Sequence, residues 1–260
     1  MLLPPLDVAG RSARVREAMV DHGCDALVVS DLVNVRYLSG FTGSAGVLVV
    51  RPDDLVLITD GRYREQAADQ LAAAGVDADL AITRETDRVL ADAVQAIDRV
   101  GLEADHVTWD AQRRWSAAIA ADVVPTVGLV LGLRAVKDEG EVARLERAAA
   151  IADEALAEVR GMLDQRPTER EMARALESAM LDRGAAGPSF ETIVASGPNG
   201  AKPHARPSDR VIGSSGEGEL VVIDFGALYD GYHSDMTRTF AVGEPSPTQQ
   251  RMLDVVASAQ

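Results

Sequence analysis

Cysteine and positive charge are both scarce in this chain, and each scarcity closes off a class of function. The single cysteine, Cys24, in 260 residues leaves no internal disulfide framework and fits a reducing compartment. It leads straight into the apolar run Ala26 to Val29, so it reads as a small buried residue and not as a nucleophile. Lys and Arg number 26 against 41 Asp and Glu. The resulting net charge of -15 argues against nucleic-acid or anionic-membrane partners, which would want a basic surface. No apolar run reaches the roughly 18 residues that a membrane-spanning helix needs. The opening MLLPPLDVAGR lacks the cationic and apolar regions of a secretory signal, so the expected location is cytoplasmic.

What is present is the composition of a folded globular protein. Hydrophobic residues make up 47% and charged residues 26%, enough apolar surface to bury a substantial core, and disorder is not indicated. A chain of this length has room for two domains.

The first half alternates strands and helices. Arg11 to His22 reads as a helix closed by Gly23; Ala26 to Val29, Val47 to Val50, Leu55 to Thr59, Val100 to Leu102 and Val123 to Val127 read as strands. A short helical turn is expected over Asn34 to Leu38, and helices over Arg62 to Ala74, Asp87 to Ile97 and Ala111 to Ala121. This predicts an α/β layer with helices on a mixed sheet. The loop Gly40 to Gly46, GFTGSAG, lacks the spacing and the Gly-Lys-Ser/Thr ending of phosphate-binding loops, so it reads as structural. His22 and His106 are isolated and read as non-ligands.

At Leu133 the chain turns from apolar to charged, which sets the expected domain boundary, 1–132 and 133–260. Val142, Leu145, Ala149, Ala152, Leu156, Val159 and Leu163 then mark the seam of one long amphipathic helix. Thr168 and Glu171 form a capping box for a further helix that ends at Gly184. Phe190 to Ser196 reads as a strand, and Gly197 to Gly200 as a turn. His204 lies between Pro203 and Pro207, which suggests a rigid extended segment. From Ser246 a last helix with Pro247 in its first turn runs to Gln260 without a stop signal. The sequence therefore reads as a fragment.

The stretch that carries chemistry begins at Gly216, GEGELVVIDFGALYDGYHSDMTRTF. Leu220 to Ile223 predicts a strand buried on both faces, ending in the carboxylate of Asp224. Asp230-Gly231 between Tyr229 and Tyr232 predicts a type I′ hairpin, whose register sets Asp224 opposite Thr237 and Gly226 opposite Asp235. Asp224, Gly226, His233, Asp235 and Thr237 should then share one face, with Gly226 leaving open space between the acids, while Phe225, Met236 and Phe240 take the core face. Two carboxylates in a partly dry place repel unless a proton or a cation intervenes. A divalent ion with oxygen ligands is the expected answer.

Four stretches together resemble the Xaa-Pro aminopeptidase and prolidase group of the pita-bread metallopeptidases: NVRYLSGFTGS (34–44), LRAVKDEGEVARLERAA (133–149), the His204 segment and VVIDFGALYDGYHSDMTRTF (221–240). The resemblance implies a creatinase-like N-terminal α/β domain, involved in oligomer contacts, followed by an α+β pita-bread catalytic domain. It implies two divalent ions, manganese or cobalt, with Asp224 binding one and Asp235 bridging both. It further implies that His204 contacts substrate, that the substrate is a proline-containing peptide cleaved near its N-terminus, and that the protein is a homodimer. A further histidine and two glutamates of the ligand set have no counterpart here, so an incomplete and inactive catalytic domain is expected. His233 has no fixed role in the group and is expected to be a pocket residue. Two alternatives stand: a metal-free creatinase-like hydrolase, against which the retained aspartates speak, and a non-catalytic oligomerisation or binding module.

Overall fold

The computed structural model describes residues 3–215 and 217–260; Met1, Leu2 and Gly216, the last at the start of the aspartate stretch, lie outside them. Two units are present, Pro5–Asp138 and Glu139–Gln260, the second joined by the segment that ends at Pro4.

In the first unit the chain runs α1 (Arg11–Asp21), β1 (Ala26–Val29), α2 (Leu32–Ser39), β2 (Val47–Val50), β3 (Leu55–Thr59), α3 (Arg64–Ala74), β4 (Asp79–Ile82), α4 (Thr86–Ala93), β5 (Arg99–Glu103), α5 (Trp109–Ala118), β6 (Asp122–Thr126) and α6 (Leu129–Ala135). The strands form one mixed sheet in the order β4-β3-β2-β1-β5-β6. Residues alternate between its faces. Leu27, Val29, Leu48 and Leu57 pack with α1, α2, α3 and α6, while Ala26, Val28, Val49 and Ile58 pack with Leu90 of α4 and Trp115 of α5. Cover on both faces is why β1, β2 and β3 read as unbroken apolar runs.

Two elements escaped the sequence reading. Strand β4 is a short edge strand, exposed or half-buried throughout, and its mixed residues give no run. Helix α6 carries Gly132 in its interior, a poor helix former, and starts after Gly128 at φ +66°. Its Leu129 and Val130 belong to the core of the first unit, so the expected boundary between residues 132 and 133 falls inside this helix.

The second unit continues with α7 (Glu139–Val159), α8 (Glu169–Asp182), β7 (Gly187–Pro188), β8 (Ile193–Ser196), β9 (Glu219–Phe225), β10 (Ala227–Tyr229), β11 (Tyr232–His233), β12 (Met236–Val242) and α9 (Pro247–Ala259). Helix α7 buries Glu141, Ala148, Ile151, Ala152, Ala155, Leu156 and Val159. Its first half is therefore turned relative to the expected seam: Val142 is 42% exposed and Ala149 faces solvent. Polar anchors decide this face. The Tyr232 hydroxyl donates to Glu141 at 3.1 Å, and Arg144 pairs with Asp230 at 2.6 Å.

Helix α8 opens with the expected capping box, Glu171 N donating to Thr168 Oγ1 at 3.1 Å and Thr168 N to Glu171 Oε2 at 2.8 Å. Strand β9 is the middle of the sheet β12-β9-β8. It is not buried on both faces: Val221, Ile223 and Phe225 are fully buried among residues of α7 and α8, but Leu220, Val222 and Asp224 on the other face are only half-buried. One helical layer covers this sheet, and its second face lines a cleft.

Candidate active site

The hairpin that carries both aspartates is set by its turn. Asp230 and Gly231 have φ of +45° and +78°, the left-handed pair that a type I′ turn requires. Pairing follows as the sequence predicts, Tyr229 with Tyr232 and Leu228 with His233, then Phe225 with Met236 and Asp224 with Thr237. Between these runs the ladder breaks. The outer part joins β7 in one sheet and the inner part joins β8 in another, with Ser234 N still donating to the Ala227 carbonyl at 3.0 Å. Gly226 sits at the break, and its role differs from the one expected. A Cβ there would collide with the Ser234 carbonyl oxygen, so the glycine permits close approach of two backbones, not an opening between carboxylates.

Asp224 and Asp235 line a common cleft of about 360 Å³ together with Phe190, Ile193, His204 and Arg206. Asp224 is half-buried and accepts one hydrogen bond, from Thr237 Oγ1 at 2.6 Å. Asp235 is exposed, with neither a hydrogen bond nor an ion pair among the described residues. The cation in the cleft, Arg206, is bound to Glu191 at 3.3 Å. Asp224 and Asp235 thus share one depression with neither in an ion pair among the described residues, and their oxygens are hard donors of the kind that manganese, magnesium or calcium prefers. The donor type fits a divalent ion. The number does not complete a sphere, because no three His, Cys, Asp or Glu side chains converge to hold a metal among the described residues.

His204 reaches the same cleft from a turn, not from an extended segment. Its φ is +56°, in the left-handed region that histidine enters more readily than most residues, and the preceding Pro203 favours the first corner of such a turn. The pair of prolines restricts the segment without extending it. His233 is exposed on β11 and is not among the residues that line the cleft.

The sequence reading missed the polar cluster beneath the His204 turn. Glu169, in the first turn of α8, is fully buried. Its Oε1 accepts from Ser196 N at 2.7 Å, Ser196 Oγ at 2.9 Å and Asn199 Nδ2 at 3.1 Å. Its Oε2 accepts from Asn199 Nδ2 at 3.0 Å, Ser208 N at 3.1 Å and Ser208 Oγ at 2.6 Å. Burial pushes the carboxyl pKa up, but the hydrogen bonds from Ser208, Ser196 and Asn199 outweigh it and hold the group below the ordinary glutamate value. Beside it Glu219, also buried, pairs with Arg210 Nη2 at 2.6 Å. No periodicity reports such a cluster, since an acid in the first turn of a helix is expected for the helix dipole alone.

Residues 143–260 match metallopeptidase family M24, and residues 11–136 match the creatinase/prolidase N-terminal domain. An uncharacterized peptidase of Bacillus subtilis, YqhT, is 39% identical over 250 residues, covering 95% of this chain and 69% of that protein. The chain belongs to metallopeptidase family M24. By family it is an enzyme, with a creatinase-type N-terminal domain and a partial M24 domain. An Xaa-Pro dipeptidase of Pyrococcus horikoshii is 30% identical, over 95% of this chain and 68% of its own length. Among solved structures, the Xaa-Pro dipeptidase of Bacillus anthracis superposes with a TM-score of 0.89 at 37% identity, over 96% of this chain and 69% of that one. The prolidase of P. horikoshii gives 0.85 at 28%, over 96% and 70%. The chain thus spans about two thirds of the length of these M24 relatives.

Proposed function

We propose that this M24 protein acts in metal-dependent hydrolysis of N-terminal peptide bonds in proline-containing peptides, as an Xaa-Pro aminopeptidase or dipeptidase. The observation that carries the reading is the pair of acids, Asp224 and Asp235, in one cleft, neither in an ion pair among the described residues, with His204 at its side. The names of the relatives, Xaa-Pro dipeptidase and X-Pro aminopeptidase, support the substrate class. In this proposal Asp224 and Asp235 are the residues of this chain that would hold divalent ions, manganese or cobalt, through their carboxylate oxygens. When bound, such ions supply water activation at neutral pH and polarisation of the scissile carbonyl. Thr237 orients Asp224 through its 2.6 Å hydrogen bond, which leaves the second carboxylate oxygen available. His204 donates a ring N–H toward the oxygen that gains charge as the peptide carbonyl is attacked.

The 260-residue chain offers two of the donors this arrangement needs, and we propose that alone it binds metal weakly and does not turn over. A homodimer is part of the same proposal. So is a cytoplasmic location, which the buried thiol of Cys24 supports. Manganese titration of the purified chain, read by isothermal calorimetry or water proton relaxation, tests the site. A dissociation constant on the order of millimolar is expected, absent in Asp235→Asn. Equal manganese uptake by both chains, or none by either, would sink the reading, and none by either is what a metal-free creatinase-like hydrolase would give. Light scattering at micromolar concentration tests the dimer, and a monomer throughout would count against that part, as it would against a pure oligomerisation module.

A further inference from the structure

We propose that Glu169 is a positioning residue for His204: one buried carboxylate holds both ends of the loop that carries the histidine and so fixes where its ring meets the cleft. This deepens the proposed function and rests on His204 being the substrate-contacting residue there.

The loop leaves β8 at Ser196, passes through the 3-10 turn Gly197–Ala201, turns at His204 and returns to α8 at Ser208. It has no strand partner of its own. What binds it is divided between the two oxygens of Glu169. Oε1 takes the departing end, through the amide and hydroxyl of Ser196, and Oε2 takes the returning end, through the amide and hydroxyl of Ser208. Asn199 Nδ2 spans the two oxygens, with its Oδ1 turned outward to accept from Lys202 Nζ at 2.8 Å. The carboxylate's acceptor directions are all used on this one loop.

The backbone of α8 adds a second set of ties. Glu169 N donates to the Arg210 carbonyl at 3.0 Å and Arg170 N to the Ser208 carbonyl at 3.1 Å, so the free amides of the first helical turn also end on the returning strand of the loop. Arg210 Nε donates to Ser196 Oγ at 3.1 Å, which closes the ring of contacts from the far side. The segment between the ties, residues 202–207, is exposed or half-buried apart from Ala205. It includes a non-glycine residue at positive φ, His204 itself. A strained turn with little packing keeps its geometry only if its ends are fixed, and the Glu169 carboxylate is the group common to both ends.

The test uses the 260-residue chain and a readout other than catalysis. In Glu169→Gln the side chain keeps its shape, but an amide NH₂ replaces one acceptor and faces three donor groups. The imidazole resonances of the four histidines are followed by NMR, with amide hydrogen exchange resolved by segment. The expected result is a displaced or broadened His204 signal and at least about tenfold faster exchange over 197–208. His233 and the amides of β9 and β12 should be unchanged. Exchange that rises evenly across the unit, with His233 moving as well, would mean that Glu169 supports the fold as a whole and would overturn the proposal; so would no change. If Glu169→Gln does not fold, Ser208→Ala removes the hydroxyl that donates to Oε2 and accepts from Arg210 N and should shift His204 in the same direction by a smaller amount; an unmoved His204 signal would then overturn the proposal. Manganese titration of the unaltered chain runs separately. Failure there would sink the aspartate site without touching the Glu169 result, and the reverse also holds.

Discussion

Glu103 in the first unit and Asp224 in the second both stand near the end of a sheet strand, and the fold treats them in opposite ways. Glu103, the last residue of β5, is 5% exposed. It accepts the amides of Ser30 at 2.7 Å and Asp31 at 2.9 Å, together with Asn34 Nδ2 at 2.7 Å. Asn34 is fixed in turn by Arg134 at 2.9 Å. This carboxylate takes the place an anion would occupy at the start of α2, and the site is closed by the protein's own side chain. Asp224 has one hydroxyl partner and a second acid in the same cleft. An acid that the fold completes is structural, whereas one left with unused lone pairs beside a like charge is available to a ligand.

The two acids should differ most on removal of Glu103. Glu103→Ala should cost about 3 kcal/mol of unfolding free energy, because it strands the buried Asn34 side chain and two half-buried amides; urea denaturation of the two chains measures it. A loss below about 1 kcal/mol would show that water replaces the carboxylate and that the two acids are less different than their bonding suggests. Next in size, Gly226→Ala should cost about 2 kcal/mol by forcing apart the backbones at the break in the hairpin, again read by urea. Loss of the acids themselves should behave differently. The double change Asp224→Asn with Asp235→Asn should leave unfolding within about 0.5 kcal/mol of the parent, or raise it slightly by removing like-charge repulsion, while abolishing manganese uptake. The smallest effect belongs to Arg206→Ala, where breaking an exposed pair with Glu191 should change stability by less than about 0.5 kcal/mol.

Glu169 adds a pH dependence of defined sign. Its folded pKa lies below the ordinary value of 4.5, so its stabilising contribution is complete above that value and is lost as pH falls through the lower, folded one. Urea midpoints between pH 6 and pH 3 should therefore fall less steeply in Glu169→Gln than in the parent chain. Parallel slopes would show that the buried carboxylate does not drive acid unfolding.

The legible parts of the sequence share a cause. Strands β1, β2 and β3 match the residues read for them because cover on both faces demands apolar side chains at every position, and the Thr168–Glu171 box is visible because its partners lie three residues apart. The aspartate hairpin was readable in the same way, since two residues at positive φ fix the pairing of everything beyond them. Strand β4 lacks such a constraint, being an exposed edge. The face of α7 was misread over its first half because Glu141 and Arg144 are drawn inward by Tyr232 and Asp230, residues some 90 positions away.

The alternation of strands and helices, the hairpin register and the common cleft of Asp224 and Asp235 follow from residues only a few positions apart, because local backbone preference and burial period act over that range. Only the tertiary structure decided that Gly226 serves backbone approach, that His204 sits in a left-handed turn and that Glu169 holds its loop. Those outcomes depend on which donors and acceptors meet across dozens of residues, and a buried carboxylate is satisfied by whatever the fold brings to it.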